Sequence, residues 1–201
     1  MTVYLWMPHA NGLEGVLAAD RISISRVTHR HSKSRRMIKN SSDKLTIVND
    51  NIAYVCAGPV VYKELFGGLV DENKHDPLKF FLTYEREVKQ LFNRNGLKEN
   101  FSYFIVFAGI PGETKLRSYN TLFKPQQGIR TYEADHLLTG GSGKVVALEY
   151  AQKHWKKTME IEKSIAAAYA TIDETGKKVQ SCSSSADVAV VRMSGIQLME
   201  D

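Results

Sequence analysis

Long hydrophobic runs are missing from this 201-residue chain, and no stretch approaches the ~20 consecutive apolar residues of a membrane-crossing helix. Cysteine is scarce: Cys56 and Cys182 lie far apart, which fits a reducing compartment better than a disulfide framework. The N-terminal Thr2-Val-Tyr-Leu-Trp-Met stretch has neither a basic leader nor a small-residue cleavage site, so no secretory signal and a cytoplasmic location are expected. Acid is absent from Arg21 to Ser42, where seven Lys/Arg and two histidines accumulate. The formal net charge of +5 mostly reports that one segment. His29 and His31 within it are too sparse for a metal site, and no metal or cofactor is expected.

What is present is 43% hydrophobic and 24% charged residues, enough for one substantial core and a single domain over residues 1–201. Val3–Met7 and Gly15–Ala19 are apolar runs separated by the turn-forming His-Ala-Asn-Gly. Ile22-Ser-Ile-Ser-Arg alternates with period two, as a strand does. The polar tract that follows predicts a long, basic, exposed loop near residues 26–43. Leu45–Val48 and Ile52–Ala57, joined by Asn49-Asp50-Asn51, predict a hairpin. Helices are expected over Pro59–Leu69 and Pro77–Asn93, with proline in each first turn. In the second, Leu78, Phe81, Leu82, Val88 and Leu91 follow the spacing of a buried face. Strands follow at Tyr103–Ile110 and Leu116–Tyr119, then helices over Ser142–Lys157 and around Ile161–Ile172, and a strand at Asp187–Met193.

Helices in adjacent pairs do not fit the one-helix crossovers of a parallel sheet. The order predicts an α+β fold, a four-layer αββα sandwich of two antiparallel sheets with a helix pair outside each.

Thr2 follows the initiator methionine. Removing Met1 would leave a free α-amine, of ordinary pKa near 7.7–8.0, beside a threonine hydroxyl, so one residue would supply both nucleophile and base. Four further segments follow in order: Gly15-Val-Leu-Ala-Ala-Asp20, Asp43-Lys44-Leu-Thr-Ile-Val-Asn49-Asp50, Ile52-Ala-Tyr-Val-Cys-Ala-Gly58 and Thr139-Gly-Gly-Ser142-Gly143. In this order, from Thr2 to about Val191, the chain resembles proteasome β-type subunits, including the bacterial HslV peptidase, of the N-terminal-nucleophile hydrolase family.

The resemblance implies the Ntn-hydrolase fold, a threonine peptidase, and assembly into stacked rings. It makes Thr2 the nucleophile, Asp20 the buried acid, and Lys44 the active-site lysine, five residues before Asn49 and thirteen before Ala57. Gly58 takes the place of the oxyanion-binding glycine, and serves equally as a turn glycine. Pro59 departs from the family's usual small residue. Ser142 takes the place of the serine near the terminal amine, and also suits a helix N-cap. Asp173 is the nearest match to a late catalytic acid, although the residues after it depart from the family and a solvated helix-terminal acid accounts for it too. Cys56 would floor the first specificity pocket, with Thr46 and Val60 near its walls, predicting cleavage after small-to-medium hydrophobic residues; it could equally be core packing. Ser23 and Ser25 would hold the substrate backbone. Gly140-Gly-Ser-Gly-Lys144 is not a phosphate loop, because Leu138 replaces the first glycine and Val145 the Ser/Thr that contacts Mg²⁺.

The expected substrate is a polypeptide, the expected partners further copies of the chain in a homo-oligomeric ring and an ATP-dependent unfoldase. Neither membrane nor nucleic acid is expected. Two rivals remain: an amidohydrolase acting on a small amide, and a non-catalytic ring or scaffold subunit, binding nucleic acid through Arg21–Lys39.

Overall fold

A computed structural model describes residues 2–28, 35–41, 44–96 and 98–199, with only the backbone described for 22–28 and 35–41. His29, His31 and Asp43 lie outside the described residues, as does Met1. The fold is mixed α+β, with two five-stranded antiparallel sheets, a separate two-stranded hairpin and four helices among the described residues. The first sheet runs β10 (Leu138–Gly141), β1 (Val3–Pro8), β2 (Glu14–Asp20), β11 (Ala186–Arg192), β12 (Gly195–Leu198), and the second β5 (Leu45–Asn49), β6 (Ile52–Ala57), β7 (Phe101–Phe107), β8 (Arg117–Lys124), β9 (Gly128–Glu133).

The layering follows from side-chain alternation along strands buried on both faces. In β1 (Val3–Pro8), Val3, Leu5 and Met7 pack toward α3 (Lys144–His154) and α4 (Ile161–Lys178), while Tyr4 and Trp6 enter the space between the sheets. Leu17 and Ala19 of β2 (Glu14–Asp20) face the same way as Tyr4 and Trp6. Across that space, β6 (Ile52–Ala57) and β7 (Phe101–Phe107) contribute Ala53, Val55, Phe104 and Val106. Their alternate residues Ile52, Tyr54, Tyr103, Ile105 and Phe107 pack outward on α1 (Val60–Asn73) and α2 (Pro77–Arg94). Because both faces are covered, these strands read as nearly continuous apolar runs rather than alternating ones.

Helix α2 starts where expected: Pro77 needs no N–H partner in the first turn, and the Asp76 carboxylate accepts from the Lys79 N–H at 2.9 Å. Its buried face is Phe80, Tyr84, Val88 and Phe92; Leu82, assigned to that face from spacing, is 71% exposed. Two residues, about 200° of helix rotation, separate Leu82 from both Phe80 and Tyr84, so it points away from the face on which those rings meet Phe107 edge to face.

The loop expected near residues 26–43 is corrected in part. Arg35–Ser41 forms β4, paired antiparallel with β3 (Ile22–Thr28) from Ile22↔Ser41 to Thr28↔Arg35. Its polar sequence hides a strand that the backbone ladder to β3 defines. Three further strands lack a clear apolar pattern: β9 (Gly128–Glu133), β10 (Leu138–Gly141) and β12 (Gly195–Leu198). No helix among the described residues is long and apolar enough to cross a membrane.

Candidate active site

Sheet register brings residues from four parts of the sequence to the head of β1. Antiparallel pairing sets Val3 opposite Gly141 of β10 and Tyr4 opposite Ala19 of β2. Thr2, 4% exposed, therefore lies between Asp20, which ends β2, and Ser142, which follows β10. Lys44 directly precedes β5 (Leu45–Asn49) in the opposite sheet and reaches across to the same point.

Asp20 is fully buried and organises the cluster. Its Oδ1 accepts from the Val3 N–H at 2.8 Å and from Lys44 Nζ at 2.7 Å. Its Oδ2 accepts from the Ser183 N–H at 3.1 Å. One oxygen shared by Val3 and Lys44 holds the lysine beside the backbone of Thr2. Three donors, one of them cationic, compensate the desolvation of this carboxylate.

Burial lowers the Lys44 pKa; the Asp20 carboxylate opposes that shift, and the nearby Lys63 ammonium adds to it. The folded-state value thus lies below the ordinary lysine range. Because the unfolded chain binds this proton more tightly, the group's contribution to stability rises with pH between the folded and unfolded values.

On the other flank, Ser142 Oγ donates to the Thr2 carbonyl at 3.3 Å and lies 3.2 Å from Ser181 Oγ. Ser142 is not the N-cap of α3; Gly143 takes that position, without a side-chain cap bond. The serine remains exposed, with its hydroxyl turned toward Thr2. The glycines around it serve close approach. A Cβ on Gly141, whose φ is +85°, would stand 2.0 Å from the Thr2 carbonyl oxygen. Gly141→Ala is accordingly expected to cost several kcal/mol, about 3 or more, since strain and backbone overlap add. Chemical denaturation measures this, and a loss under ~1 kcal/mol would contradict the registration.

The segment before β11 (Ala186–Arg192) is a contributor that the sequence reading missed. Ser183 binds Asp20 through its backbone and Ser181 meets Ser142, while the Arg21 N–H donates to the Ser185 carbonyl at 3.0 Å. Cys182 Sγ sits 3.8 Å from Ser142 Oγ. Burial, reinforced by the Asp20 carboxylate, raises its thiol pKa and so disfavours a thiolate. The only advance signal was the density of small polar residues in Ser181-Cys-Ser-Ser-Ser185.

Asp173 is not brought to this cluster. It lies inside α4 rather than at its end, and its carboxylate pairs with Lys177 one turn on. It is two residues from buried Thr175, about 200° around the helix, so it faces away from the side that meets Gly143.

Gly58 lies between β6 and α1 with φ +146°, and a Cβ there would be 2.7 Å from Phe101 Cβ. Both backbone and packing therefore demand glycine. Among the described residues, its N–H takes no part in the turn and cap hydrogen bonds around Pro59. Cys56 packs against the cluster under α1 and α2, where burial pushes its thiol up to about 12. Thr46 stands opposite Tyr54 in the β5–β6 pair. Val60 opens α1 and is 62% exposed. Ser23 and Ser25 are on β3, with side chains outside the described residues.

A second polar constellation lies beside a cavity of about 460 Å³ lined in part by Trp6, His9, Glu14 and Arg117. There His9 Nδ1 is 3.4 Å from Glu14 Oε1, and His9 Nε2 is 3.0 Å from Ser164 Oγ. This is the order of a Ser-His-acid triad, but Ser164 is fully buried and accepts from Trp155 Nε1 at 3.0 Å, so no substrate carbonyl reaches it. The cavity borders Pro8, six residues along β1 from Thr2 and roughly 20 Å away at the usual strand rise. It belongs to the opposite end of the sheet.

Compared with models of known protein families the chain gives no match, and among curated protein sequences it finds no relative; the reading of the site rests on its own geometry.

Proposed function

We propose that this chain is an N-terminal threonine peptidase with the Ntn-hydrolase fold. The observation that carries the reading is the Asp20 carboxylate bridging Lys44 and the first backbone N–H of β1, directly behind Thr2. A buried ammonium is costly to place. Here it stands beside the one residue able to supply both an amine and a hydroxyl.

With Met1 attached, the Thr2 nitrogen is an amide and cannot act as base. Once Met1 is removed, the free amine takes the proton of the Thr2 hydroxyl, and the oxygen attacks the substrate carbonyl carbon. The Lys44 ammonium lowers the amine pKa and favours the developing alkoxide. The Gly58 N–H donates to the oxyanion, an interaction worth ~3–4 kcal/mol where such a donor is fixed. Collapse breaks the C–N bond, and the protonated amine returns its proton to the leaving nitrogen. Water then attacks the carbonyl carbon of the Thr2 ester, giving up a proton to the same amine; the acyl C–O bond breaks, the amine returns that proton to the Thr2 oxygen, and the acid product leaves. Ser142, between the Thr2 carbonyl and Ser181, holds the backbone that carries the amine.

Polypeptide is the proposed substrate, and a homo-oligomeric ring fed by an ATP-dependent unfoldase the proposed setting, since enclosure protects the cell from an open peptidase. Hydrolysis of fluorogenic peptides and casein, together with N-terminal sequencing, tests the reading. It predicts turnover and a sequence beginning Thr-Val-Tyr. A retained Met1 with no hydrolysis would support a scaffold subunit instead, and turnover of small amides alone would support the amidohydrolase.

A further inference from the structure

Seven of the chain's 27 Lys/Arg fall between Arg21 and Ser42 and none of its 22 acids does, so the rest of the chain is slightly acidic. The backbone gives that basic segment a form. β3 and β4 pair with each other and join neither five-stranded sheet, so they make a separate antiparallel ribbon. Its root is fixed at both ends. Arg21 Nε donates to Asp187 Oδ1 at 2.6 Å where the chain enters the ribbon, and Lys44 reaches Asp20 after the chain leaves it.

Register sorts the cations. Residues opposite one another in an antiparallel pair share a face, and so does every second pair along the ribbon. Thr28↔Arg35, Arg26↔Met37 and Ile24↔Lys39 therefore fall on one face, and each of these three successive levels carries one cation. The levels are two residues apart, about 6.8 Å at the antiparallel rise. Ser23 and Ser25 fall on the other face with Arg36, so a substrate held there does not compete for the row. No acid in the ribbon neutralises that row from within.

We propose that the β3–β4 ribbon is a binding surface for double-stranded DNA, which it contacts at the phosphates without sequence preference. An unbroken row of cations matches the unbroken negative charge of a nucleic-acid backbone. A folded protein surface mixes both signs, and a ribbon without acids offers nothing to its lysines and arginines. The stretch from Arg21 to Ser42 has no Phe, Tyr or Trp, so it has no platform on which unpaired bases stack. A two-stranded ribbon fits the major groove of B-form DNA, roughly 12 Å wide, whereas the deep, narrow groove of duplex RNA shuts side chains out. This surface goes beyond the peptidase reading, stands whether or not Thr2 is catalytic, and replaces the expectation that nucleic acid is no partner.

The test is fluorescence anisotropy of the full-length protein with two labelled 30-base-pair DNA duplexes of unrelated sequence, across a salt series. The two duplexes should bind alike, with a dissociation constant of about 10⁻⁴–10⁻⁶ M at physiological salt. Three phosphate contacts predict a log–log salt slope near −2.7, so affinity should fall roughly 40-fold between 50 and 200 mM salt. Replacing Arg26, Arg35 and Lys39 together by Gln should weaken binding by about 10-fold or more, and each single Gln variant should reduce the slope by ~0.9. The slope of the unsubstituted protein reads the same contacts should the triple variant fail to fold. No binding at 50 mM salt, or single variants that leave the slope unchanged, would overturn the proposal. Tighter binding of poly-glutamate, phosphatidylserine vesicles or the single strand than of the duplex would also overturn it, and would reassign the ribbon to that class.

Discussion

Thr2→Ala should abolish peptide hydrolysis, reducing kcat by at least ~10³-fold, while leaving folding and assembly intact. The expected loss is that large because the substitution removes the attacking oxygen itself, and nothing near it can replace that atom. Of the nearby groups, Ser142 Oγ donates to the Thr2 carbonyl and the Cys182 thiol is held protonated. The change removes a hydroxyl and a methyl at a position preceding β1, outside the three apolar clusters, so the thermal midpoint should move by only a few degrees. Thr2→Ser keeps the hydroxyl and should retain measurable turnover. Residual activity of Thr2→Ala near the starting level would assign the chemistry to other residues.

Lys44→Met should both inactivate and destabilise. Lys44 is 5% exposed, and its ammonium is 2.7 Å from a carboxylate that is itself fully buried. Without it, Asp20 keeps the Val3 and Ser183 N–H donors but loses its counter-charge. Breaking a buried pair from one side typically costs about 3–5 kcal/mol. The catalytic loss should reach ~10²–10³-fold, the size of a fixed electrostatic contribution to a developing negative charge. Denaturation and steady-state kinetics on the same variant separate the two effects. Loss of stability without loss of kcat would make the pair structural only.

The same lysine shapes the pH dependence. In the proposed mechanism its charged form supports catalysis; burial lowers its pKa, so activity is expected to fall as pH rises through that folded-state value. The alkaline limb of kcat should accordingly set in below the ordinary lysine value of ~10.4. Removing the Lys63 ammonium should move that limb upward, because Lys63 contributes to the depression. An unmoved limb in Lys63→Gln would separate Lys63 from the site.

Much of this arrangement is legible in the chain, for identifiable reasons. The β5–β6 hairpin announces itself through apolar runs around Asn49-Asp50-Asn51, and both first-half helices through Pro59 and Pro77. β10 was not legible, because Leu138-Thr-Gly-Gly carries no apolar alternation and owes its order to pairing with β1. β4 escaped for the same reason, its order coming from β3. Leu82 follows Phe81 in an apolar pair, but the buried face is centred on Phe80 and Tyr84, each about 200° of helix rotation away from it.

The site divides in a similar way. Asp20, Lys44 and Ser142 stand at element ends, where sequence spacing translates into position, and the structure gathers them around Thr2. Ser183 acts through its backbone N–H, which no side-chain pattern reports. Asp173 illustrates the opposite error. Its four-residue spacing from Lys177 predicts an ordinary helix-surface pair, and that is where the carboxylate goes.

The most direct test is an intact mass of the purified protein before and after a peptide epoxyketone, followed by mapping of the modified residue. Such a reagent closes a ring on an amine and a hydroxyl of the same residue, so it reads out the two groups on which the proposed chemistry depends. The account predicts loss of one methionine and a single adduct confined to Thr2. A full-length mass that stays unchanged with reagent would contradict it.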